Sequence, residues 1–157
     1  MQARHINPFI ESVYELFQTM LKGIVERGPI GVTDGGAQPS DMLAIIGISG
    51  PTRGTVSIGF PEATALAIVG RILGMPVDKL DDTVSDGVAE VVNMVAGSAK
   101  AKLNAGADVP LDLSLPTVVH GERYNVQYPS KSVWLEVPFK SDLGDFNLRV
   151  TFETTPK

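Results

Sequence analysis

Asp86, Glu90, Asn93, Gly97 and Lys100 fall within one periodic stretch of the chain. A helical repeat of 3.6 residues puts the first four on one line, at i, i+4, i+7 and i+11, with Lys100 close by. The other side of the same stretch carries Val84, Val88, Val91, Val92, Val95, Ala99 and Leu103. Two carboxylates, a carboxamide and a glycine therefore share a narrow strip, which can make hydrogen bonds and electrostatic pairs. Periodicity alone favours a simpler description, the wet side of an amphipathic helix. Two residues sit badly with that simpler description. Asn competes for backbone hydrogen bonds inside a helix, and Gly97 costs up to about 1 kcal/mol relative to Ala. A bare position there would let a partner's surface approach closely.

Composition narrows what else the chain can do. Its 157 residues contain no cysteine and only two histidines, His5 and His120. Disulfides, thiolate zinc sites, iron–sulfur ligation and cysteine nucleophiles are thereby excluded, and the histidines have no HExxH spacing. The formal charge is −5, with no clustered basic stripe of the kind a nucleic acid needs. Any catalysis must use oxygen and amide groups. No apolar run approaches the ~18 residues of a membrane span, and the first residues lack a signal-peptide pattern; one cytoplasmic domain over 1–157 is expected. Gly31 to Gly36 has no phosphate-loop spacing, Ser49 and Ser98 lack a nucleophile-elbow context, and Asp142 and Asp145 lack a calcium-ligand series. His120 reads as a strand-end residue.

The elements that must hold the strip follow from pattern. Apolar residues at 9, 10, 13, 16, 17, 20, 21 and 24 predict a first helix, with Asn7 as cap, Pro8 at its first position and Gly28-Pro29 as its stop. A loop from Thr33 to Asp41 follows. Met42 to Ser49 and Thr55 to Phe60, separated by Gly50-Pro51-Thr52-Arg53-Gly54, read as a hairpin. A second helix opens at Pro61-Glu62 and stops at Gly74 and Pro76, and the third runs from about Thr83 to Leu103. Thr117–Val119, Trp134–Phe139 and Asn147–Phe152 are strand-like, the last two joined by a turn-rich Lys140–Asp145 segment. The class is α+β: an antiparallel-rich sheet with long helices on one face.

A weak internal repeat appears at an offset of 79 residues. Glu11-Ser12-Val13-Tyr14 lies over Glu90-Val91-Val92-Asn93, and Val56, Ile58 and Phe60 lie over Leu135, Val137 and Phe139. The turns Gly50-Pro51 and Pro129-Ser130 coincide too. Two pseudo-symmetric helix–hairpin halves are expected. At the position equivalent to Asn93 stands Tyr14, which has no carboxamide, so the polar strip is not repeated on the first helix.

The stretch resembles the CheX-type phosphatases of bacterial chemotaxis, relatives of CheC and FliY, whose signature is Asp/Ser-x3-Glu-x2-Asn-x22-Pro. Asp86, Glu90, Asn93 and Pro116 match all four positions at the required spacing. The likeness extends from Ile6-Asn7-Pro8-Phe9 to the final strands. It implies dephosphorylation of an aspartyl-phosphate on a CheY-like response regulator, Asn93 orienting the attacking water and Glu90 pairing with the regulator's active-site lysine. It implies no cofactor of the chain's own, Mg2+ being expected in the regulator's active site, and a homodimer. Asp86 and Pro116 take supporting parts: Asp86 suits the helix N-terminus or a regulator contact, and Pro116 shapes a strand entry. A module that docks on a regulator or flagellar component without turnover is the alternative.

Overall fold

The computed structural model describes residues 6–33, 41–106, 110–120 and 133–153. Helix α1 spans Asn7–Leu16. Its flanking residue is Ile6, not Asn7, and no side chain caps it. The Ile6 carbonyl instead accepts the N–H groups of Phe9 and Ile10 at 3.0 and 3.1 Å, while the Ile6 side chain is fully buried. Core burial has fixed the helix start where a polar cap was expected.

The end of this helix also departs from expectation. After Leu16 the backbone widens into a π turn, Phe17–Leu21, closed by Lys22 in the left-handed conformation at φ 53°. Residues 25–27 form strand β1 (Val25–Arg27), so the helix stops well before Gly28-Pro29. Helical spacing continues through Ile24, yet Ile24 is 73% exposed. Pairing the Val25–Arg27 backbone with a strand neighbour prevails over one more turn of solvent-facing helix. A second short strand, β2 (Gly31–Thr33), occupies the start of the expected loop; most of that loop lies outside the described residues.

Strands β3 (Met42–Ser49) and β4 (Arg53–Phe60) form the expected hairpin, in register from Met42 opposite Phe60 to Ile48 opposite Gly54. Helix α2 (Glu62–Leu73) ends at Gly74, whose φ of 69° suits glycine. Helix α3 (Asp82–Asn104) begins at Asp81, whose carboxylate accepts the Val84 N–H. Strands β5 (Asp112–Leu113), β6 (Thr117–His120), β7 (Trp134–Ser141) and β8 (Phe146–Glu153) complete the set. The sheet order is β1-β7-β8-β4-β3-β5, with β2 also on β7 and β6 also on β3, all antiparallel.

One sheet face carries Met42, Ala44, Ile46, Val56, Ile58, Phe60, Val137, Phe139, Phe146, Leu148 and Val150, all buried with the apolar sides of the helices. Phe146 stacks on Phe17 and Phe139, with ring centres 5.7 and 5.0 Å apart, which locks the turn after α1 to the sheet. The α+β class, an antiparallel sheet with helices on one face, is thus the observed architecture. The β3–β4 and β7–β8 hairpins lie side by side through β4 and β8, an order that accommodates two helix–hairpin halves. The Pro129-Ser130 turn of the proposed repeat lies outside the described residues.

Candidate active site on helix α3

Helix α3 is divided lengthwise. Val84, Val88, Val91, Val92, Val95, Ala96 and Ala99 are at most 3% exposed, and this stripe fixes the rotation of the helix. Asp86, Glu90, Asn93 and Gly97 are all exposed on the opposite side. Among the described residues, no side-chain hydrogen bond or ion pair engages Asp86, Glu90 or Asn93. A helix held this firmly presents its polar groups in fixed directions while leaving them open to a partner.

Both flanks of the strip are built. On one side, α1 is tied to α3 where Ser98 Oγ donates to Glu15 Oε2 at 3.0 Å and Lys102 Nζ pairs with Glu15 Oε1 at 2.8 Å. These hydrogen bonds hold the Glu15 carboxyl below its ordinary range, Lys102 contributing most and Ser98 next. Nearby, α2 approaches so closely that a Cβ on Gly87 would stand 2.8 Å from Val69 Cγ2.

The other flank is the segment entering β5 and β6. Asn104 bonds both backbone groups of Leu111, at 3.0 and 2.8 Å, and Lys100 Nζ meets Asp112 Oδ1 at 3.0 Å. The Lys100 ammonium, with the Leu113 N–H, lowers the Asp112 carboxyl from its usual value. Lys100, which spacing placed near the strip, is therefore engaged in clamping β5. From there the chain runs antiparallel to α3.

The segment is bulged. Leu113 opposes Ile48 and Thr117 opposes Ile45, so the β5–β6 side has one residue more than β3. Ser114 anchors the bulge by exchanging bonds with Gly47: Gly47 N–H donates to Ser114 Oγ at 2.8 Å and Ser114 N–H to the Gly47 carbonyl at 2.9 Å. Pro116 is half-buried at the entry to β6, whereas Leu115 is 83% exposed. Asp86 lies one turn inside α3, and the residue that caps the helix is Asp81. His120 ends β6 and is exposed.

Sequence reasoning missed Asp112, Gly87 and Leu115. Their parts depend on which segments meet, and no local periodicity encodes that. The Asn104–Leu111 bond pair had only a faint signal, an Asn at the helix end ahead of a Gly/Pro-bearing loop. Among the described residues, no group of three or more His, Asp or Glu is placed to hold a metal ion, and no helix is long and apolar enough to cross a membrane.

On α1 the equivalent positions look different. Glu11 is exposed. The Tyr14 hydroxyl accepts the Arg27 N–H at 3.0 Å, and its ring stands edge-on to Phe139 with centres 6.3 Å apart. The repeat position is filled by an aromatic whose hydroxyl is tied to β1 and which is still 37% exposed.

Comparison with known proteins matches these features. The family described as chemotaxis phosphatase CheX matches residues 42–140. The chain is 32% identical over 155 residues to the CheY-P phosphatase CheX of Thermotoga maritima, covering 96% of this chain and 97% of that protein. A CheC-like superfamily protein from Shewanella sp. PV-4 superimposes with a TM-score of 0.88 at 31% identity, covering 98% of this chain and all of the other. The CheX–CheY–BeF3–Mg2+ complex from Borrelia burgdorferi has a chain of the same fold, with a TM-score of 0.81 at 23% identity over 96% and 98% of the two chains. The family match over residues 42–140 and the identity along nearly the whole chain agree: this protein belongs to the CheX family of chemotaxis phosphatases.

Proposed function

We propose that the protein removes the phosphoryl group from the phosphoaspartate of a CheY-like response regulator, with Glu90 and Asn93 entering the regulator's active site together. One observation carries this reading. Glu90 and Asn93, at the signature spacing, are both exposed and both free of partners among the described residues, on a helix whose other side is buried. Similarity to a CheY-P phosphatase supplies the substrate class.

An acyl phosphate is reactive by itself, so the enzyme's task is placement. The Asn93 carboxamide oxygen accepts a hydrogen bond from water and directs its oxygen at phosphorus. The new O–P bond forms as the bond from phosphorus to the aspartyl oxygen breaks, yielding inorganic phosphate and the regulator's free carboxylate. Glu90 meets the regulator's lysine in a charge-assisted pair that fixes the docking register. The regulator's own Mg2+ would supply the charge compensation for the phosphoryl oxygens, and no residue of this chain is needed to hold it. No nucleophile on this chain is needed, which suits a sequence without cysteine. Asp86 and Pro116 border the contact, Pro116 by shaping the entry to β6. The working unit is a homodimer in the cytoplasm, carried over from the family resemblance, and sedimentation of the purified protein tests the dimer.

The direct test is phosphate release from a CheY-like regulator phosphorylated with acetyl phosphate. Wild-type protein accelerates release and Asn93→Ala does not, while both bind the beryllofluoride-activated regulator. Equal release by the two proteins would remove the role given to Asn93.

A further inference from the structure

Helix α3 contains two interior glycines besides its ends, and they have opposite surroundings. Gly87 is half-buried, and a Cβ there would press on Val69 of α2, with Cγ2 at 2.8 Å and Cγ1 at 3.0 Å. Helix packing explains that glycine. Gly97 is exposed, and a Cβ there would meet nothing within 4 Å beyond its own chain neighbours and helix backbone. Its conformation is ordinary helix, with no positive φ. Inside this protein, then, nothing asks for glycine at 97, and alanine would favour the helix.

Helix geometry says what a side chain there would do. The Cα–Cβ bonds of an α-helix tilt toward its N-terminus, so a side chain covers the turn before its own Cα. One turn before Gly97, on the same line, is Asn93. Any longer side chain at 97 would lie over the surface beside the Asn93 carboxamide. Asn93 itself leans away, toward Glu90, and cannot reach past an obstruction behind it. A side chain as short as asparagine works only if the partner's surface comes nearly to the helix backbone.

We propose that Gly97 is a positioning residue for the phosphatase reaction: its missing side chain keeps the approach to Asn93 open and sets how closely the phosphorylated regulator seats on α3. This rests on the docking reading above and deepens it. The residue selects for regulators whose phosphoaspartate loops can enter a shallow, uncovered notch bounded by Asn93 and Gly97.

The test measures stability and turnover on Gly97→Ala and Gly97→Gln, with Asn93→Ala as reference. Gly97→Ala should raise the thermal midpoint by about 2–4 °C, and Gly97→Gln should not lower it. Against acetyl-phosphate-phosphorylated regulator, kcat/KM should fall with side-chain size, at least about tenfold for Gln. Because Asn93 is held off the phosphoryl group, kcat at saturating regulator should fall too. A structural glycine would give the reverse sign, with a lower midpoint, and that outcome overturns the proposal. Turnover by Gly97→Gln within about twofold of wild type, while Asn93→Ala loses it, also overturns the proposal and leaves the function intact. If Asn93→Ala keeps its turnover, the docking reading falls and Gly97 with it.

Discussion

Helices α1 and α3 lie against each other over the same sheet, and the proposed repeat aligns them, yet they treat their polar residues oppositely. On α1, Tyr14 is bonded to the Arg27 backbone and Glu15 is engaged by Ser98 and Lys102. On α3, Glu90 and Asn93 remain exposed and have no partner among the described residues. A hydrogen bond occupies Tyr14, the residue aligned with Asn93, whereas Glu11, aligned with Glu90, is exposed like its counterpart. The open groups of α3 contribute little to stability. What marks the α3 strip as a candidate site is a set of polar groups that a well-packed helix has not used for itself.

The largest effect that could break this contrast is on turnover. Asn93→Ala should lower stimulated phosphate release by about 100-fold or more, the scale seen when one preorganised hydrogen-bonding group is removed from a reaction centre. Its thermal midpoint should hold or rise, because alanine is the better helix former. A midpoint that fell together with activity would mean that Asn93 serves the fold.

Moving the carboxamide across the repeat should fail. Tyr14→Asn removes the acceptor for the Arg27 N–H and the edge contact with Phe139, a loss of about 1–3 kcal/mol in denaturant unfolding. Adding it to Asn93→Ala should restore no turnover. Recovery of activity would show that α1 retains a working site and that the contrast is only one residue deep.

The glycine facing α2 gives a smaller shift. Gly87→Ala should lose roughly 1–2 kcal/mol, since crowding against Val69 outweighs the gain in helix propensity. Phosphatase activity under native conditions should be retained.

Smallest of all is the clamp between the two helices. Glu15 and Lys102 are partly solvated, with side chains 52% and 28% exposed, so Glu15→Gln should cost no more than about 0.5–1 kcal/mol. The Glu15 carboxyl lies below its ordinary value because Lys102 and Ser98 bond the charged form. Its contribution is therefore complete above the unfolded-state pKa and is lost as pH falls through the lowered folded-state value. The gap between wild type and Glu15→Gln in urea titrations should close in acid and persist at neutrality.

Much of this arrangement is legible in the sequence, because α3 and the β3–β4 and β7–β8 hairpins obey clean periods of 3.6 and 2. Strands β1, β2 and β5, of two or three residues each, are too short to have a period. They exist because β7 and β3 offer backbone partners. The π turn at Phe17–Leu21 kept its apolar spacing and so looked like continued helix; only Lys22 in the left-handed region ends it. In the site, a single helix carries Glu90 and Asn93, so spacing alone sufficed to group them. The Lys100–Asp112 and Asn104–Leu111 contacts cross between segments, where local pattern has no reach.

Strand β8 lies between β7 and β4 and bonds both, although it is the last in sequence of the strands among the described residues. Its partner residues Val56 and Val150 are 94 positions apart. Until residues 146–153 have left the ribosome, β4 keeps an unpaired edge beside the apolar row Val56, Ile58 and Phe60. Such an edge can recruit a neighbouring nascent chain. Closing so long a loop also makes sheet completion a late, non-local event. During synthesis, α3 and its strip can therefore form before the sheet beneath them is finished, and the enzyme gains its rigid platform only when β8 slides into place.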